Sequence, residues 1–343
     1  MTWTETTNLK FCLLNAENLF LMFDTEPSKD LLKLPETQWQ KLSNSVYENK
    51  SLKKCTDIAK CLTDINADII MLCEVGGFES LKNFNYLFMN DAYSPVLVEG
   101  NSDRNIDVGF LIRKNASFYF DVLSNKHRPI NYLYPHERQS LATGYPVKGG
   151  KITTSHKFSR DVAELRLFKQ DKEKPFMIIL LTHLKSRLDP ERIDPNGFER
   201  RQAELRTLLE IYRELEIVHP QVPIMIAGDF NGNASKVGTD QEFAELYTST
   251  QLLDVFEIAQ LTQEKRATFY QVKSNSRTEG RQIDFAFLSP ILAQLLKANS
   301  ALAYRYRDEL GQETGVPHNM EAKLRLPSDH YPIVFEIENL PVR

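Results

Sequence analysis

Cysteine is scarce in this chain of 343 residues: Cys12, Cys55, Cys61 and Cys73 are the whole set, all fall in the first quarter, and none forms a CxxC spacing. That pattern argues against a structural zinc site or a disulfide framework and points to a reducing compartment. A secretory signal is also missing, because the opening Met-Thr-Trp-Thr-Glu-Thr-Thr-Asn has neither a basic start nor an apolar core. No apolar stretch is long enough to span a bilayer, so no stable membrane association is expected and the cytoplasm is the default, unless a leader was removed. Excess positive charge is lacking as well. A net charge of -4 argues against coating nucleic acid by bulk electrostatics, though it leaves room for a local basic groove. There is no tandem repeat and no low-complexity tract, and the composition is that of an ordinary globular chain.

What the chain does contain is a repeated grammar, in which an apolar, strand-like run turns abruptly polar at one end. Phe11–Leu14 runs into Asn15-Ala16-Glu17-Asn18, Ile69–Cys73 into Glu74, Met177–Leu181 into Thr182-His183, and Ile224–Gly228 into Asp229-Phe230-Asn231, while Ser328-Asp329-His330 stands just before a final alternating run. Strands buried on both faces read as continuous apolar runs, so a polar residue ending one sits where the sheet opens to solvent. Taken singly, each end has an ordinary explanation: an Asx turn at Asp229 and Asn231, a buried salt bridge at Glu74, a strand cap at Asn15, a satisfied core histidine at His183. Taken together they imply one shared site. A set of carboxylates, amides and imidazoles without thiolates suits magnesium or manganese better than zinc, and metal-assisted phosphoryl hydrolysis is the chemistry it implies. An unpaired carboxylate at Glu74 would bear a desolvation penalty of several kcal/mol that a divalent cation offsets.

The periodicities predict an α/β chain with strands in excess: strands at 9–14, 68–73, 107–113, 117–123, 162–168, 175–182, 223–227, 282–288 and 331–337. Helices are predicted around Ile58, Leu62 and Ile65, around Phe78, Leu81, Phe84 and Leu87, and over 198–217, where Leu205, Leu208, Leu209 and Tyr212 form one stripe. From Ser124 to Arg160 the periodicity fails at Pro129, Pro135, Pro146 and Gly149-Gly150, which reads as a long functional loop. Polar strand ends come from both sides of it, so a single catalytic domain over 1–343 is the simpler reading, with the site between the halves.

In order along the chain, Asn15-x-Glu17-Asn18-Leu19, Glu74, Ser159-Arg160, Thr182-His183, Gly228-Asp229-x-Asn231, Ile283-Asp284 and Ser328-Asp329-His330 resemble the endonuclease/exonuclease/phosphatase superfamily over nearly the whole length. The resemblance implies a four-layer α-β-β-α sandwich of two mainly antiparallel or mixed sheets flanked by helices, the deoxyribonuclease I-like fold, with one or two Mg2+ or Mn2+ ions. By the same resemblance Glu74 is the principal metal ligand, with Asn15, Asp329 and Glu17 around it. Asp229 aligns or deprotonates the attacking water, Asn231 holds the water or the phosphate, and His330 contacts the scissile phosphate with Asp284 setting its tautomer. His183 is the second phosphate-facing histidine and Arg160 a cationic contact. Which group is the base stays open. Many nucleases of the family carry a tyrosine where this chain reads Arg104-Asn105-Ile106-Asp107; Asn105 and Asp107 are assigned to substrate, with Asp107 orienting His183. Thr182-His183-Leu184-Lys185-Ser186 followed by Arg200-Arg201-Gln202-Ala203-Glu204 looks like bacterial members often described as nucleases, and Lys185 joins the substrate contacts.

The segment 124–160 offers Lys126, Arg128, Arg138, Lys148, Lys151, Lys157 and Arg160 against Glu137 alone among the acids, with Tyr132, Tyr134, Tyr145 and Phe158 interspersed. Cations that track phosphates and rings that stack on bases suit a nucleic-acid strand. A metal-dependent nuclease, acting as a monomer on DNA or RNA, is therefore the expectation. Hydrolysis of a small phosphoester, inositol phosphate or phospholipid headgroup is the alternative, and a non-catalytic binding module comes third.

Overall fold

The structure, a computed structural model, describes residues 5–144, 153–273 and 277–342. Tyr145, Pro146, Lys148, Gly149, Gly150 and Lys151 of the expected basic loop lie outside the described residues. Fourteen strands are described: β1 (Glu5–Leu19), β2 (Ile69–Val75), β3 (Tyr93–Leu97), β4 (Asp107–Arg113), β5 (Tyr119–Ser124), β6 (Val162–Phe168), β7 (Met177–His183), β8 (Ile224–Asp229), β9 (Leu253–Asp254), β10 (Phe269–Val272), β11 (Thr278–Arg281), β12 (Asp284–Leu288), β13 (Leu302–Ala303) and β14 (Ile333–Val342). One six-stranded sheet has the order β13-β14-β1-β2-β4-β3 and the other β5-β6-β7-β8-β12-β9, with β10 and β11 as a separate hairpin. Within each large sheet a single central pair is parallel, β1 with β2 and β7 with β8, and every other pairing is antiparallel.

The alternation of side chains along a strand sorts the apolar residues into three cores. Phe11, Leu13, Met71 and Phe110 of one sheet meet Leu165, Ile179, Leu181 and Met225 of the other in the layer between the sheets. Cys12, Leu14, Ile70 and Leu72 point the opposite way, against helices Leu52–Ile65 and Gly77–Phe88. Ile178, Leu180, Ile226 and Phe287 face the helix Phe198–Val218, which supplies Leu205, Leu208, Leu209 and Tyr212. The result is a helix-sheet-sheet-helix sandwich. Each fully buried leucine on that long helix contributes about 1.5–3 kcal/mol by leaving water. The helix Leu52–Ile65 starts where Ser51 Oγ accepts from the Lys54 amide at 3.2 Å and stops at Asn66 in the left-handed region, φ 53°. None of the helices among the described residues is long and apolar enough to cross a membrane.

Within 124–160 the expected irregular loop gives way to a helix at Pro135–Thr143, started by proline in its first turn and by Glu137 accepting from the Tyr134 amide at 2.8 Å. It is short and has no buried residue, so no apolar period marks it in the sequence. A second correction concerns the aromatic residues of the segment. Tyr132, Tyr134 and Phe158 are buried in the core under the long helix, so they are packing residues and not exposed platforms for bases. The edge strand β3 went unread in the sequence because Pro95 interrupts its apolar alternation.

Candidate active site

Strand register carries the polar ends to one edge of the sandwich. His183 is the register partner of Asp229 at the ends of the parallel pair β7 and β8, and Asp284, opening the antiparallel β12, is also opposite Asp229. In the other sheet Asn15 lies opposite Cys73, one residue before Glu74. The register of β1 against β2 then shifts between Asn15 and Leu19, and Glu17, Asn18 and Glu74 all take left-handed backbone angles, φ 50°, 55° and 60°. Such a bulge ends pairing and re-aims side chains. Here it directs the Asn18 amide to Glu74 Oε2 at 3.1 Å.

The two sheets are joined across this edge by Asn15 Nδ2, which donates to Asp229 Oδ2 at 3.0 Å, while Asp229 Oδ1 accepts from the Asn231 amide at 2.7 Å. Burial, then the adjacent Asp284, push the Asp229 carboxyl well above the usual aspartate range, against the opposing pull of His330. His330 Nδ1 is bonded to Asp284 Oδ2 at 2.8 Å, and its Nε2 lies 3.9 Å from Asp229 Oδ2 and 3.8 Å from Asp329 Oδ1. Burial works to keep this ring neutral, but Asp284, Asp329 and Asp229 overcome it and hold its proton well above the ordinary histidine range. His183 is the opposite case. Its Nε2 is 3.5 Å from Asp229 Oδ2, its Nδ1 has no hydrogen-bond partner among the described residues, and burial followed by the charge of Arg160 favours its neutral form. One imidazole of raised and one of lowered proton affinity thus flank the same carboxyl group.

Arg160 is buried beside this group, where burial works against its charge and Glu204, then Glu74 and Asp229, favour it; among the described residues its Nη1 makes only long contacts to Leu184 O and Ser159 Oγ and its Nε makes none. A buried guanidinium with unmet donors is fitted to an anion. Asn231 donates through Nδ2 to Leu184 O at 3.1 Å.

Other sequence-assigned residues are turned elsewhere. The Glu17 carboxylate pairs with Lys54 at 2.7 Å and Lys50 at 3.3 Å. Asp107 accepts from the Gly100 amide at 2.7 Å, and the ring of His183 makes no hydrogen bond to it. Asn105 donates to the Tyr47 hydroxyl at 3.2 Å on the exposed rim. Lys185 Nζ is held by the carbonyls of Leu188 and Ser186. Asp329 lies near His330 but faces Lys323 at 3.4 Å; burial alone would raise its carboxyl, and His330 and Lys323 hold it below the usual range.

Two contributors were not singled out from the sequence. Glu204, on the long helix, accepts from the Ser159 amide at 2.8 Å and the Lys185 amide at 2.7 Å, tying together the segments that carry Arg160 and His183. Its one sequence signal is the Arg200-Arg201-Gln202-Ala203-Glu204 string. Lys323 lies over the Phe269 ring at 3.6 Å, and nothing in its local sequence marks it.

The chain aligns with an endonuclease/exonuclease/phosphatase family protein from Bacteroides thetaiotaomicron at a TM-score of 0.56 and 17% identity, covering 98% of this chain and 99% of that one. This is the endonuclease/exonuclease/phosphatase fold. The human Nocturnin catalytic domain, solved with a bound sulfate anion, shares the fold at a TM-score of 0.54 and 15% identity, with 96% of this chain and 93% of that one covered. A mannosyl-6-phosphatase from Bacteroides thetaiotaomicron shares it at a TM-score of 0.53 and 18% identity, with 95% and 98% covered. Neither a family model nor a curated protein matches the sequence.

The endonuclease/exonuclease/phosphatase fold raises the question of a divalent ion, and the residues present fit one. Asp229, Asp284 and His330 each offer a ligand atom within 4.8 Å of the others, and Asp284 Oδ1 is buried without a hydrogen-bond partner among the described residues. An oxygen-rich set of this kind suits a hard cation. Because Asp284, Asp329 and Asp229 raise the proton affinity of His330 against the effect of burial, a cation ligated by that ring would compete with a proton. Glu74 and Asn15, at the same edge, offer oxygen ligands without that competition.

Proposed function

We propose that the protein is a divalent-metal-dependent phosphoester hydrolase that cleaves by attack of water on phosphorus. The observation that carries this reading is the meeting of Asp229, Asp284 and His330 with His183 and Arg160 at one buried edge of the two sheets. Glu74 and Asn15 would hold a Mg2+ or Mn2+ ion, which would polarise the phosphoryl oxygens and leave Asp229 and His330 to the proton steps. Asp229, held between two imidazoles and two amide donors, would orient a water and take its proton, and its raised proton affinity supports general-base work near neutral pH. His330, kept protonated against Asp284, donates to a phosphoryl oxygen, and Arg160 adds a fixed positive charge where negative charge develops. Asn15 and His330, 315 positions apart by subtraction of their numbers, both approach Asp229, which supports one catalytic unit built from both halves.

A small phosphorylated molecule is the preferred substrate class. The described rings of the basic segment are in the core, Arg128 is paired with Glu214 and Arg138 with Glu199, so the features that favoured a nucleic-acid strand are largely engaged internally. The mannosyl-6-phosphatase of the same fold agrees with that class. Nuclease action remains the second reading, favoured by the exposed Arg104 at the rim. A panel of DNA, RNA, cyclic nucleotide, inositol phosphate, sugar phosphate and phospholipid, run with Mn2+ and with chelator, tests the proposal. Metal-dependent release of phosphate from the small esters is expected, and no turnover of any member would sink it.

A further inference from the structure

A sheet edge with unpaired backbone groups accepts a further strand unless proline, lysine or extreme shortness blunts it. Three of the four edges of the two large sheets are blunted in this way: β3 carries Pro95, and β9 and β13 are two residues long. The fourth, β5, is not. Its six residues, Tyr119-Phe120-Asp121-Val122-Leu123-Ser124, include neither proline nor a cation. Tyr119, Phe120 and Leu123 stand 59, 37 and 40% exposed.

The register against β6 fixes which groups this edge presents. Asn125 donates its amide to Val162 O at 3.2 Å, so the alternation of an antiparallel ladder turns the backbone groups of Phe120, Val122 and Ser124 away from β6. Phe118 and Val122 pack on the core between the sheets, which puts Phe120 on that face and Tyr119, Asp121 and Leu123 on the other. Asp121 forms no ion pair among the described residues, since Arg166, opposite it on β6, is engaged by Glu164. Its Oδ1 accepts the Val122 amide at 2.8 Å, standing in for a neighbouring strand. Lys172, with Nζ 5.6 Å from the Tyr119 ring centre, also has no ion pair among the described residues, whereas in the same turn Lys169 pairs with Glu5 and Asp171 with Lys174.

We propose that β5 pairs antiparallel with β5 of a second copy of this chain, centred on Phe120, making a two-fold dimer in place of the monomer expected from the sequence. This register sets Phe120 beside its own copy and Phe118 opposite Val122, so the apolar face reads the same in both directions. It also sets Asp121 opposite Tyr119, and so beside Lys172 of the other copy, twice over by symmetry. Centring on Asp121 would instead oppose two like charges. The contact runs along the side of the sheet, away from the strand ends that carry Asp229 and His183, and joins two six-stranded sheets into one continuous sheet.

Sedimentation equilibrium of the full chain tests this, with half-association expected at about 10 µM, the scale of a small interface. Reversing one charge, by Asp121→Lys or Lys172→Glu, turns two attractions into two repulsions and should weaken association about tenfold or more. The double variant, with both charges exchanged, should return to within about threefold of wild type. Both positions are exposed, so the variants keep the fold. A wild-type chain that stays monomeric up to about 200 µM overturns the proposal. So does a dimer indifferent to either reversal, or one that the double exchange fails to restore, because each places the contact elsewhere.

Discussion

Replacing Glu204 by alanine removes the one carboxylate that ties the Arg160 segment to the His183 segment. It is 1% exposed, accepts the Ser159 and Lys185 amides at 2.8 and 2.7 Å, and stands 3.5 Å from Arg200 Nε. Alanine leaves two part-buried amides unpaired, at about 1–3 kcal/mol each. It also strips the counter-charge from two guanidiniums, so the expected total loss is about 3–5 kcal/mol, on the scale of a domain's entire stability of roughly 5–15 kcal/mol. Glu204→Gln keeps the volume and one acceptor oxygen but turns an NH2 group toward an N–H donor, for a loss of roughly 2 kcal/mol. Urea unfolding with linear extrapolation measures both. The glutamine variant, which should fold, is then assayed on bis(p-nitrophenyl) phosphate with Mn2+. Because Ser159 precedes Arg160 and Lys185 follows His183-Leu184, kcat/KM should fall about tenfold, a small displacement of positioning groups being enough for that. An alanine variant within about 1 kcal/mol of wild type, with unchanged kinetics in the glutamine variant, would refute the view that Glu204 aligns the site.

Asp229→Asn keeps an oxygen for Asn15 Nδ2 but removes the base, so kcat should drop about 10²–10⁴-fold with the circular dichroism spectrum intact; a loss below about tenfold contradicts the assigned role. Gly228→Ala should destabilise by about 3 kcal/mol or more in urea unfolding, because Gly228 has φ 149° and an added Cβ would lie 1.8 Å from the Thr182 carbonyl oxygen, forcing β7 from β8 just where His183 and Asp229 pair. Wild-type stability with this variant would mean the strands have room that the geometry denies. Asp254, buried with Oδ1 unpartnered among the described residues, is pushed up to about 7, first by burial, while its Gln282 bond opposes the shift. The fold therefore binds this proton more tightly than the unfolded chain, and the associated stability, present below about pH 4, is lost as pH rises toward 7, by about 4 kcal/mol in all. Asp254→Asn should remove that slope. Parallel stability–pH curves for variant and wild type between pH 4 and 8 would show Asp254 to be ionised in the fold.

Much of the frame was legible because it depends on local periodicity. The runs at 107–113 and 162–168 are strands with those bounds, and the helix predicted over 198–217 is Phe198–Val218, since an apolar stripe at 3.6 residues or a doubly buried run reports burial directly. Strands β10 and β11, short and partly exposed, carry no such signal. The site divides in the same way. That Asn15, Glu74, His183 and Asp229 end apolar runs is a property of the chain, and strand ends on shared sheets must open at an edge.

What each side chain does at that edge was decided only by packing in three dimensions. Glu17 has the same strand-end grammar as its neighbours, yet Lys50 and Lys54 reach it from the start of another helix region and take its charge. Tyr132, Tyr134 and Phe158 look like a binding surface in one dimension and are core in three. Glu204 and Lys323 gain their roles from loops and rings distant in sequence. The chain alone thus determined where apolar runs end and what chemistry stands there, because burial imposes a period on neighbouring residues. Which partner satisfies each charge was settled by tertiary contact, because an ion pair or hydrogen bond depends on distance and leaves no period along the sequence.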